Sequence, residues 1–142
     1  VGDASGAKMH EDRDWADVMN VVRGQAVQEI GWDEDCDSRI SEALEDAIGE
    51  PLSTEEDNDI VDVVLLWWRK GDGDLVDGLV DATRNLGEDG RIWLLTPAAG
   101  TAGTVETGEI AESAQLAGLV QTSANRIGDW QGACLVGSGT KR

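Results

Sequence analysis

Ile60-Val61-Asp62-Val63-Val64-Leu65-Leu66-Trp67-Trp68 is an apolar run broken by one charge, and Arg91-Ile92-Trp93-Leu94-Leu95-Thr96-Pro97 is a second such run. Between them, Gly71-Asp72-Gly73-Asp74 leads into a segment whose Leu75, Val76, Leu79, Val80 and Leu86 recur at helical spacing, with Gly87 as its stop. Alternating polarity marks a strand with one wet face, whereas a continuous β-branched and aromatic run marks a strand covered on both. Two such runs flanking an amphipathic helix predict a βαβ unit with parallel strands and an α/β domain. Glu88-Asp89-Gly90 reads as the turn into the second strand.

Outward from this unit, Gln25–Trp32 reads as a first strand. The acidic loop Asp33–Ser38 caps a helix bearing Ile40, Ala43, Leu44, Ala47 and Ile48 on one face, stopped by Gly49 and Pro51. Glu50–Asp59 is a polar connection with room for a short strand at its start. After the loop 97–103, Glu109–Ala117 forms a third helix. Leu119–Asn125 and Trp130–Val136, joined through Gly128-Asp129, predict an antiparallel hairpin. Residues 1–14 read as a flexible tail, 15–138 as one domain and 139–142 as a second tail.

The 142 residues carry a formal charge of −18. Such a field repels phosphate backbones and anionic lipid, so neither nucleic acid nor membrane is expected as a partner; a basic protein segment is. No apolar run reaches the length of a membrane span, and the start has no signal-peptide core, which points to the cytoplasm. Cys36 and Cys134 follow no metal-ligand spacing and read as free thiols. His10 is the single histidine and lies in the tail, so a Ser-His-Asp, Cys-His or histidine–zinc site has no evident base or ligand. No catalytic residues are assigned.

The element order resembles the class I methyltransferase fold with its middle deleted, in which the last strands form a reversed hairpin at the sheet edge. Val27-Gln28-Glu29-Ile30-Gly31 resembles the opening of that family's cofactor motif. The motif then needs further glycines so that backbone can approach the methionine part of S-adenosylmethionine. Here Trp32-Asp33-Glu34-Asp35 stands instead, and no acidic residue can be placed at a second strand end to hold the ribose. More specifically, Gly31–Asp35, Val61–Arg69, Gly71–Asp77 and Ile92–Pro97 resemble an actinobacterial domain-of-unknown-function family, number 3052, from about Gly24 to Val136. The Lys common in that family after the proline is replaced by Ala98. The resemblances imply a minimal Rossmann-like three-layer α/β sandwich, mostly parallel, with a C-terminal antiparallel hairpin.

Ligands of open α/β sheets sit beyond the carboxyl ends of the strands. The candidate binding edge is therefore Trp32, Asp33, Glu34, Asp35 and Asp37 after the first strand, Trp68, Arg69, Gly71, Asp72, Gly73 and Asp74 after the second, and Thr96 and Pro97 at the end of the third. Trp32 and Trp68 are the candidate partner anchors, since tryptophan is enriched at binding hot spots. Asp33, Asp35 and Asp37 have calcium-loop spacing, but Ser38 replaces the turn glycine and Leu44 stands where a bidentate Glu belongs, so Asp33, Asp35, Asp72 and Asp74 are at most weak divalent ligands. No cofactor is expected. The leading expectation is a non-catalytic interaction or regulatory module. The alternative is a small-ligand or S-adenosylmethionine-binding enzyme of methyltransferase ancestry.

Overall fold

A computed structural model describes residues 18–34, 36–54, 59–98, 100–101, 103–127 and 130–137. Both tails assigned from the sequence lie outside these residues. The apolar runs become β2 (Val61–Trp67) and β3 (Leu86–Pro97), paired in parallel with Leu65 opposite Trp93 and Trp67 opposite Leu95. β1 (Val27–Ile30) lies parallel on the other side of β2. The hairpin, β4 (Leu119–Ile127) and β5 (Trp130–Gly137), completes a sheet of order β1-β2-β3-β5-β4, with β5 antiparallel to both of its neighbours.

Helices cover both faces, as the continuous apolar runs require. Val63, Leu65 and Trp67 face α1 (Ser38–Ile48) through its Ile40, Leu44 and Ile48. Val64 and Leu66 face α2 (Leu75–Ala82) and α3 (Thr107–Leu116) through Leu75, Leu79, Ile110 and Ala114. Trp67 and Trp93 are fully buried on the α1 side. The Trp93 Nε1–H donates to the Met19 carbonyl at 2.9 Å, tying the segment before β1 to the sheet. Acidic caps set the helix starts: Asp37 accepts the Arg39 N–H and Asp74 the Val76 N–H, each at 3.0 Å. Gly49, at φ 87°, closes α1 by donating to the Glu45 carbonyl at 2.8 Å.

Several boundaries differ from the sequence expectation. α2 ends at Ala82 with no glycine; Thr83 closes it, its Oγ1 donating to the Val80 carbonyl at 2.6 Å. So short a helix presents a narrow apolar stripe, and Val80, expected on the buried face, is 49% exposed. Leu86 and Gly87 belong to β3 rather than to the helix. Leu86 pairs with Val61 and Arg91 with Val63, so residues expected as a turn are an irregularity inside one strand. β1 is four residues long, because beyond Ile30 the chain turns at Gly31. α3 begins two residues before its expected start.

The connection after α1 does contain the short strand-like piece. Ser53 bridges to Gln28, its N–H donating to the Val27 carbonyl and its carbonyl accepting the Glu29 N–H, both at 2.9 Å. The buried Gln28 side chain adds a bond from Nε2 to the Thr54 carbonyl at 2.8 Å. These few residues occupy part of the outer flank of β1. Among the described residues no helix is long and apolar enough to cross a membrane.

Candidate functional site

The three loops after β1, β2 and β3 meet at one edge. The Lys70 N–H donates to the Gly103 carbonyl at 2.8 Å, which joins the second loop to the third, and Arg69 joins the second to the first. The crevice between the ends of β1 and β2 holds a side chain of the protein itself. The Arg69 guanidinium lies in it, with Nη1 donating to the Gly31 carbonyl at 2.9 Å and Nη2 to the Cys36 sulfur at 2.9 Å. Its Cζ lies 5.5 Å from the centre of the Trp130 ring, a cation–π contact.

Below the guanidinium, Trp67 is held edge-on between two other tryptophans, with ring centroids 4.8 Å from Trp130 and 5.8 Å from Trp32. The Trp67 indole N–H donates to Glu29 Oε2 at 2.9 Å, and Ser41 Oγ donates to the same oxygen at 2.5 Å. A carboxylate on a core-facing position of a buried strand costs free energy unless it is bonded, and these two donors meet that cost. Gly31 has φ 84°, and a Cβ there would stand 2.4 Å from the Trp67 carbonyl oxygen. The glycine is therefore explained by contact between β1 and β2, with no need of a ligand approaching the backbone.

The expected edge residues divide by what they do. Trp32 is 45% exposed, with Asp33 and Glu34 exposed beside it, and Asp35 lies outside the described residues. Asp33 accepts the Glu34 N–H at 2.7 Å through its carboxylate and the Cys36 N–H at 3.0 Å through its carbonyl. Asp37 caps α1 and pairs with Arg39 at 3.1 Å. Asp72 accepts the Arg69 N–H at 3.0 Å and lies 3.5 Å from its guanidinium; Asp74 caps α2. Gly71 and Gly73, at φ 102° and 123°, form the turn between them.

Trp68 points away from Trp67, as alternation requires. It is half-buried against α2, where a Cβ on Gly78 would meet its ring at 2.5 Å. It is a packing residue of the opposite face, and Trp32 alone of the two anchors stands beside the crevice. Thr96 is fully buried and Pro97 ends β3. Among the described residues no three of His, Cys, Asp and Glu gather as metal ligands.

Sequence reasoning read Glu29 as the acid of a cofactor motif and Cys36 as a free thiol, and it did not foresee their bonds, the place of Trp130 or the inward turn of Arg69. For Glu29 a signal existed: it shares a strand face with the buried Val27, so its carboxylate had to find donors. The contact of Arg69 with Gly31 and Cys36 spans more than thirty residues of chain and leaves no local pattern.

The residues present do not fit S-adenosylmethionine. The methyltransferase resemblance asks for a glycine-rich cradle after β1, and this chain has one glycine, committed to the β1–β2 contact, followed by a bulky Trp and acids. It also asks for an open crevice, and here the Arg69 guanidinium, bonded to Gly31 and Cys36, lies across the ends of β1 and β2.

A family model described as a protein of unknown function, DUF3052, matches residues 16–139, and the chain belongs to that family. It is 50% identical over 122 residues to uncharacterized proteins of Mycobacterium bovis (Mb2263c) and Mycobacterium tuberculosis (Rv2239c), a match covering 86% of this chain and 77% of each relative. Similar solved structures include methyltransferases. The pyocyanin biosynthetic protein PhzM matches at TM-score 0.67 and 13% identity, over 92% of this chain and 55% of its own. A TehB-like SAM-dependent methyltransferase from Corynebacterium glutamicum matches at 0.53 and 15%, over 89% and 87%. A putative methyltransferase from Thermoplasma acidophilum matches at 0.61 and 7%, over 86% and 72%. At such identities the likeness establishes a Rossmann-like fold and nothing of their chemistry.

Proposed function

We propose that this DUF3052 chain is a non-catalytic interaction module that presents an acidic, tryptophan-bearing edge to a basic protein segment. The observation that carries the reading is Arg69. A guanidinium bonded to Gly31 and Cys36 and laid against Trp130 takes the space in which a nucleoside ligand would lie. With that space taken, what the edge offers is its outer surface, where Trp32 stands among Asp33 and Glu34. A half-exposed indole next to carboxylates suits a Lys- or Arg-rich segment, whose alkyl stems and charges can lie on the ring while the carboxylates meet the cations. Five described carboxylates line this edge against Arg39, Arg69 and Lys70, and the chain as a whole adds a strongly negative field.

The test is calorimetric titration with a Lys/Arg-rich peptide. Asp33→Asn and Trp32→Ala should each weaken binding about tenfold, without loss of fold. Rim charges act chiefly on association and anchors on dissociation, so stopped-flow mixing with the same peptide should show the first variant changing the on-rate and the second the off-rate. Glu55→Gln with Glu56→Gln, in the acidic connection outside the described residues, should leave binding unchanged. Loss of the peptide in the connection variant with retention in both edge variants would overturn the assignment.

A further inference from the structure

The sheet has two edges, and they are treated differently. The β1 edge is covered in part by Ser53, whose backbone bonds to both Val27 and Glu29. On the other side β4 is the last strand, and among the described residues nothing pairs with its outer flank. It is nine residues long, and all seven between Leu119 and Ile127 are exposed. Between α3 and β4 lies an apolar groove of about 300 Å³ floored by Ala98, Ile110, Ala124 and Ala133.

An unpaired edge is a template for another strand, and soluble proteins blunt such edges with prolines, lysines, inward charges, bulges or covering loops. β4 has one irregularity, between Gln121 and Ser123, and one charge, Arg126, with no proline and no lysine. Its sequence, Leu-Val-Gln-Thr-Ser-Ala-Asn-Arg-Ile, has no acid and no proline.

We infer that β4 is the edge through which two copies of this chain associate, by antiparallel β4–β4 pairing about a two-fold axis that continues the sheet from one copy into the other. Charge selects the occupant. A chain of net charge −18 repels its own copies over most of its surface. From Ser113 to the end, however, Asp129 is the single acid against Arg126, Lys141 and Arg142. The described strands of the hairpin carry no carboxylate, so two copies can pair along β4 without acids directly opposed. A basic segment, by contrast, gains nothing there and is drawn to the strand ends described above.

The register follows from the single charge on the strand. Pairing centred near Ser123 sets Arg126 of one copy across from Val120 of the other. The two guanidiniums are then about 20 Å apart, at roughly 3.4 Å per residue. The same register lets each Arg126 stem lie over a Val120 that is 47% exposed. Such closed two-fold pairing is the commonest route to homo-oligomers.

Analytical ultracentrifugation across protein concentration and salt tests this. The wild type should sediment at twice the 15.1 kDa chain mass at tens of micromolar, and dimerisation should strengthen several-fold from low to physiological salt as the remaining repulsion is screened. Ser123→Glu with Asn125→Glu, both exposed positions, should yield a monomer with the wild-type circular-dichroism spectrum and a cooperative melt that no longer depends on protein concentration. A wild type that stays monomeric to about 0.5 mM would overturn the inference, and so would a dimer that survives the double substitution with its fold intact. Gln121→Glu, on the same strand, gives a second variant, and it too should raise the dissociation constant at least tenfold.

Discussion

Replacing Arg69 by Ala removes the side chain that closes the crevice, and the structure sets the size of the effect. The guanidinium is largely buried, at 15% exposure, so its bonds are only weakly screened. A charged donor on the Gly31 carbonyl contributes about 1.5–3 kcal/mol. The cation–π contact with Trp130 adds about 0.5–1 kcal/mol. The contact with the sulfur of Cys36 is a softer bond, and the 3.5 Å pair with the more exposed Asp72 contributes under about 1 kcal/mol. Asp72 still accepts the residue 69 backbone N–H after the change, which preserves the turn. Because these terms share one group they do not simply add, and the expected loss is about 2–4 kcal/mol. Urea melts followed by tryptophan fluorescence read it directly, and Arg69→Lys should recover less than half, since an ammonium cannot bridge both acceptors in one plane. A loss under about 0.5 kcal/mol for Arg69→Ala would mean that the guanidinium does not hold the crevice shut, and the reasoning would fail.

Trp67→Ala and Trp93→Ala should each cost about 3–5 kcal/mol in the same melts, because both rings are fully buried on neighbouring strands, whereas the half-exposed Trp32→Ala should cost under about 1.5. Gly31→Ala should be among the most damaging small substitutions: it meets a left-handed backbone costing about 1–2 kcal/mol and a carbonyl oxygen 2.4 Å away. Gly24→Ala, with φ 94° and open space, should lose about 1–2 kcal/mol, and equal losses at the two sites would refute the contact argument.

What was legible in the sequence was legible for a physical reason. Burial on two faces writes itself as uninterrupted Val, Leu and Trp, and so β2, β3 and their parallel pairing could be read directly. The stripe of Ile40, Leu44 and Ile48 and the turn residues 128–129 did the same for α1 and the hairpin. Less was written for β1, whose four residues include a buried Gln and a bonded Glu, each made acceptable by a distant partner. The early start of β3 was hidden because an irregularity opposite Val61–Val63 resembles a turn. At the strand ends, the convergence of the three loops followed from topology alone. Which side chains turned inward did not: Arg69, Cys36 and Trp130 meet only once the sheet has formed, and Trp68 looked like an anchor until Gly78 gave its ring a place to pack.

The claim at the centre of this account is that the methyltransferase-like crevice is closed by the chain's own residues. Calorimetric titration of S-adenosylmethionine into the wild-type protein at about 0.1 mM tests it most directly. The account predicts no saturable heat up to millimolar ligand; a saturable isotherm with a micromolar dissociation constant would contradict it.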